Sequence, residues 1–121
     1  MHVFGFERLE VWQESRRLLK KIYEITARFP DEERYGLTSQ VRRSVLSVSS
    51  NIAEGSGCTT AKHQAHFSEI AYKSLLEALS QLIVAYDLGF LQEHTYTNLR
   101  SDIERIGNKI NALKKYQLNK K

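Results

Sequence analysis

Few residues in this 121-residue chain have types and spacings that could do chemistry. His63 and His66 stand three apart with Cys58 just before them, a thiol and two imidazoles of the kind that ligate zinc. A closed zinc site needs four donors, and no partnered set follows, so the trio reads better as the polar start of a helix. Di-iron helical bundles place Glu-x-x-His on two helices, and no Glu here has a His three residues later. Ser56 lies in Gly-Ser-Gly without the G-x-S-x-G elbow of a nucleophile, and Gly55 and Gly57 lack the Lys-Ser/Thr of a phosphate loop. These glycines read as the permissive end of a helix. Asn51, Glu54 and Glu77 are read as buried polar groups. A carboxylate so placed needs a partner, and Arg42, Arg43 and Lys73 are at hand, so an ion pair between helices or subunits is preferred to an acid in a pocket. No catalytic residue, metal, cofactor or small-molecule substrate is expected.

The remaining chemistry is cationic. Lys and Arg number 18 against 14 acids, a net charge of +4. Arg16, Arg17, Lys20 and Lys21 form two adjacent pairs, and Arg42 and Arg43 make another. After Glu104 the chain carries only Arg105, Lys109, Lys114, Lys115, Lys120 and Lys121. Arg16, Arg17, Lys20, Lys21, Arg42, Arg43, Lys114 and Lys115 are the candidate nucleic-acid contacts. Binding of RNA or DNA through phosphates needs no sequence readout and falls steeply with salt. Two other readings stay open. The tail also suits a solvated helix end, where cations complement the helix dipole. The chain as a whole also suits a protein-interaction adaptor whose charge serves solubility.

Four helical patterns must position these residues, over about 7–28, 38–54, 61–88 and 94–117, with no strand alternation. In the second, Leu37, Val41, Val45, Val48 and Ile52 share one stripe, and Thr38 or Ser39 would cap it. Its other side is small and polar, which would let another backbone or another chain approach. The first helix has a core stripe from Val11 through Leu18 and Ile22 to Ile25 and Phe29, and Pro30 stops it. The third is the most apolar, and is either the most buried helix or also faces a partner chain. The fourth steps cleanly through Leu99, Ile103, Ile106, Ile110 and Leu113, with Gly107 inside it where a neighbour would pass close. The fold class is all-α, an up-down-up-down antiparallel four-helix bundle with short loops. Trp12, Leu19 and Tyr23 widen the first apolar stripe, and Leu76 and Ile83 widen the third, beyond what one chain can bury. With Ser47, Asn51, Glu54 and Glu77 they are the candidate oligomer interface.

The length fits one domain. One cysteine permits no internal disulfide, no apolar run approaches a membrane span, and the start lacks a signal-peptide layout, so the expectation is a cytoplasmic protein.

The ordered set VWQ, FP-x-E, GLTSQ-x-RR and NIAEG, followed by FSEIAYKSLLEALSQL, resembles the ribosomal-RNA intervening-sequence proteins, the S23 family, from Phe6 to about Tyr116. Members are similar to the accessory protein of diversity-generating retroelements, a basic pentameric barrel that binds nucleic acid. The resemblance implies a bundle assembled as a homopentamer with no known enzymatic activity. It places the family's signature at Gln40, Arg42, Arg43, Ser47, Asn51, Ile52, Ala53, Glu54 and Gly55, and at Ser74 and Glu77. Two departures stand out. Ser49 replaces a common proline, which lets the second helix keep its backbone bond, and Lys73 replaces a small residue, which either pairs with an acid or disturbs a close contact.

Overall fold

A computed structural model describes residues 1–120; Lys121, the last cation of the basic tail, lies outside the described residues. Four helices follow one another: α1 (Glu10–Thr26), α2 (Leu37–Ser56), α3 (Ala61–Asp87) and α4 (Glu93–Asn119), with no strand among the described residues. Pairing is antiparallel throughout the contacts that fix it. Ser44 meets Glu77 and Gln81 while Ser47 meets Ser74, so α3 descends as α2 ascends. Tyr86 stacks on Tyr96 while Ser68 bonds Gln117, which sets α4 against α3. Glu14 meets Arg105 while Lys21 meets Asp102, which closes α4 onto α1. Each helix therefore touches two neighbours around a square, and diagonal helices do not meet.

The core follows the apolar stripes. Val11, Leu18 and Ile22 of α1 meet Val41, Val45, Val48 and Ile52 of α2, and α4 adds Leu99, Ile103, Ile106 and Ile110. From α3, Leu75 and Leu82 alternate with Ala71, Ala78 and Ala85, so two large side chains interleave with small ones that admit the β-branched residues opposite.

The ends differ from the sequence reading in instructive ways. The first helix starts at Glu10, because Gly5–Arg8 forms its own 3-10 turn, in which Glu7 accepts the Phe4 N–H at 2.9 Å. This turn lays Phe6 edge-on against Trp12, with ring centroids 5.0 Å apart. Neither Thr38 nor Ser39 caps α2; Gly36 precedes the helix, and Glu33 Oε1 accepts the Leu37 N–H at 3.1 Å. Gly55 is no terminator. It lies buried inside α2, where a β-carbon would stand 2.9 Å from Cβ of Phe67. Gly57 ends the helix with φ −87°, so left-handed freedom is not used there; Gly89, with φ +82°, uses it after α3. Thr60 does cap α3, accepting the His63 N–H at 3.2 Å. The helix runs unbroken through Ser49, and Lys73 points to solvent, 3.8 Å from Glu69.

Candidate nucleic-acid interface

The small polar face of α2 is used within the chain. Ser44 Oγ reaches Glu77 Oε1 at 2.9 Å and Gln81 Oε1 at 3.0 Å, Ser47 and Ser74 share a hydrogen bond of 2.8 Å, and Asn51 donates to the Ser47 carbonyl at 2.8 Å. Serine-sized groups let α2 and α3 draw close enough for these bonds. The two carboxylates expected to be buried are not. Glu54 and Glu77 are exposed, because both lie outside the stripe that α2 and α3 turn inward. Of their expected partners, Lys73 is engaged with Glu69 and Arg42 with α1, and Arg43 is exposed without an ion pair among the described residues.

The buried acid is Glu14, only 8% exposed. Arg105 Nε and Lys109 Nζ each approach its carboxylate at 2.5 Å. Lys109 also pairs with Glu10, and Asp102 takes Arg105 at 3.2 Å and Lys21 at 2.6 Å. Burial on its own raises the Glu14 carboxyl, yet the hydrogen bonds and charges of Lys109 and Arg105 outweigh it and leave the group below its ordinary range. Lys109 is shifted up by its bonds to Glu10 and Glu14, and Arg105 by its bond to Glu14. This α1/α4 seam holds three acids and three cations and is electrically neutral. The chain's net +4 therefore resides on the rest of the surface.

The eight candidate cations fall in different places. Lys21 is bound into the seam, bonded to Asp102 and Asn98, and Arg17 stands exposed beside it. Arg16 lies over Trp12, 5.5 Å from the ring centroid, and Lys20 is exposed on the outer side of α1. Arg42 is half-buried over the Tyr23 ring at 4.3 Å and donates to Thr26 Oγ1 at 2.8 Å, so it holds α2 to α1. Arg43 is exposed on the same face. Lys114 and Lys115 lie at the opposite end of the bundle, near the Ser68–Gln117 bond. Arg16, Lys20 and Arg43 have no carboxylate within ion-pair distance among the described residues.

The sequence reading singled out neither Arg34 nor Tyr35 as a candidate contact. They join Arg42 and Arg43 around one groove with Tyr23. An Arg-Tyr pair leading into a helix that carries two more arginines was the available signal.

Of the candidate interface residues, Trp12 is half-buried by the chain's own N-terminal turn, and Leu19 packs at the core edge. Tyr23 is 47% exposed. Leu76 and Ile83 lie on the outer flank of α3, Leu76 47% exposed and Ile83 half-buried. His63 bonds Thr60 at 2.9 Å, and no cluster of three His, Cys, Asp or Glu among the described residues could hold an ion. No helix among the described residues is long and apolar enough to cross a membrane.

The class so defined is an all-α four-helix bundle whose distinctive polar features lie on its outer seams. The chain belongs to the 23S rRNA-intervening sequence protein family, whose model matches residues 7–112. It is also similar in fold to a crystal structure from Bacteroides thetaiotaomicron, a protein with unknown function from the S23 ribosomal protein family. The two superpose with a TM-score of 0.78 at 18% identity, covering 87% of this chain and 98% of that one. At that identity the likeness is one of fold. Neither description names an enzyme. No curated protein matches the sequence.

Proposed function

We propose that this chain is a non-enzymatic, cytoplasmic scaffold that binds structured RNA or DNA through phosphate contacts and works as a ring-like homo-oligomer, a pentamer by likeness to the retroelement accessory protein. The carrying observation is a set of exposed cations on α1 and α2 that no carboxylate among the described residues engages. The α1/α4 seam consumes its acids internally, while Arg16, Lys20 and Arg43 stand on the α1 and α2 surfaces without a carboxylate partner among the described residues. Exposed guanidinium and ammonium groups in that state are the donors that displace counterions from a nucleic-acid backbone. A ring would repeat the moderate patch and add weak contacts through multivalency.

The test is retention of labelled RNA and DNA at increasing salt, with wild type and with Arg16, Arg17 and Lys20 reversed to Glu. Lys21 is spared because its reversal would break the bond to Asp102. Retention should fall by orders of magnitude between low and moderate salt, and the reversed variant should lose it even at low salt. Salt-insensitive retention, or none by the wild type, sinks the reading in favour of a protein-interaction adaptor.

A further inference from the structure

A shallow groove runs between the end of α1, the turn at 34–36 and the start of α2. It is lined by the guanidinium groups of Arg34, Arg42 and Arg43 and the rings of Tyr23 and Tyr35, with no acid in its wall. Of the carboxylates nearby in sequence, Glu24, Asp31, Glu32 and Glu33, none lines it. Glu33 is turned onto the Leu37 N–H, Glu24 faces a hollow with Arg28 and Phe90, and Asp31 lines an adjoining hollow that shares Arg34 and Arg42. Tyr35 is 88% exposed, so its ring adds nothing to the core. Arg42 is pinned by Thr26 at 2.8 Å and by the Tyr23 carbonyl at 3.3 Å, and its plane backs the Tyr23 ring. It is therefore a positioning residue, leaving Arg34 and Arg43 as the cations that a ligand can engage.

Two tyrosine rings beside two exposed guanidiniums offer flat π-faces and phosphate-sized charges together. In a duplex the base faces are stacked inside the helix, and only an unpaired strand can present them to an aromatic side chain. We propose that this groove binds an unpaired segment of nucleic acid, with a base stacked on Tyr35 and flanking phosphates held by Arg34 and Arg43. This deepens the general reading of nucleic-acid binding and rests on it. The site would take single-stranded ends, loops or bulges, while the cations of α1 serve backbone contacts of any kind.

Fluorescence anisotropy on the full chain, with a labelled single strand of about a dozen nucleotides and a duplex of equal length, separates the outcomes. Tyr35→Ala should weaken single-strand binding about tenfold and leave duplex binding unchanged, while Tyr35→Phe should retain both. Arg43→Ala should lower the slope of log affinity against log salt by about 0.7 for the single strand. Because Tyr35 is exposed in a turn, its replacement leaves the bundle intact, which a thermal melt verifies. Wild-type single-strand affinity that survives Tyr35→Ala overturns this site and spares the general reading. Absence of all binding by the wild type overturns both. A change of assembled mass in Tyr35→Ala at unchanged affinity assigns the groove to a subunit contact and overturns the proposal.

Discussion

Glu14 is the residue on which the electrostatics of the bundle turn. Its carboxylate is held by Arg105 and Lys109, which retain Asp102 and Glu10 if Glu14 is lost. Because its folded-state pKa is lowered from 4.5, the stability it lends is complete above that pH and disappears as pH falls through the lowered value. Lys109 is shifted up from 10.5, so its contribution is complete below that pH and fades on the alkaline side. Glu14→Gln should cost about 1 kcal/mol at neutral pH, a modest loss because the two cations keep other acids and some water. It should also flatten the acid limb of a melting-temperature profile. An acid limb as steep in the variant as in the wild type would place the titrating group elsewhere. The seam was legible in principle. Along α1 the order Glu10, Glu14, Lys21 is acid, acid, base, and α4 read backwards from Lys109 through Arg105 to Asp102 is its complement. Inspection of α1 alone hid this, because Lys21 looked like one more solvent-facing cation and its partner is 81 residues away.

At the scale of the helix, apolar periodicity located four elements and most of the core, because burial on one stripe imposes a 3.6-residue repeat that side-chain type records directly. Ends were harder. Glycine and threonine have several uses, and tertiary contacts choose among them. Gly55 and Gly107 make the contrast testable, since both sit inside helices. A β-carbon at Gly55 would stand 2.9 Å from Cβ of Phe67 and 3.3 Å from the Gln64 carbonyl, atoms that move only with the α3 backbone. At Gly107 it would meet Leu75 Cδ2 and Tyr72 Cε1 at 3.4 Å, an ordinary contact. Gly55→Ala should therefore destabilise by roughly 1–3 kcal/mol through forced separation of α2 and α3. Gly107→Ala should gain up to about 1 kcal/mol of helix propensity, raising the melting temperature by roughly 4 °C. Calorimetry in which Gly55→Ala is as stable as Gly107→Ala, or more stable, would refute the close-approach account of Gly55.

For the whole molecule, the unresolved demand is where α3 spends its excess apolar surface. Beyond its core residues, α3 carries Tyr72, Leu76, Leu79 and Ile83 at steps of four, three and four, a second stripe turned toward the outside. Tyr72, Leu76 and Leu79 border an open groove with Arg100, Glu104 and Asn108 of α4. That spacing is the one a helix offers to another helix in knobs-into-holes packing, and nothing within the described chain fills it. In the square of helices this α3/α4 groove lies opposite the α1/α2 face that carries Arg16, Lys20 and Arg43, so a neighbouring copy seated in the groove leaves those cations of its host open. Where the groove meets a different, non-basic face of the next copy the contact is heterologous, and heterologous contacts close into rings when the rotation permits. We therefore expect sedimentation velocity at micromolar concentration to find an assembled species, and Leu76→Glu to sediment as a monomer with unchanged helical dichroism. Since Leu76 lies outside the core, loss of assembly in that variant reads as loss of a contact and not of the fold. A wild-type monomer at that concentration would leave the second stripe of α3 without a role in self-association, and would remove the repeated basic array from the proposed mode of nucleic-acid binding.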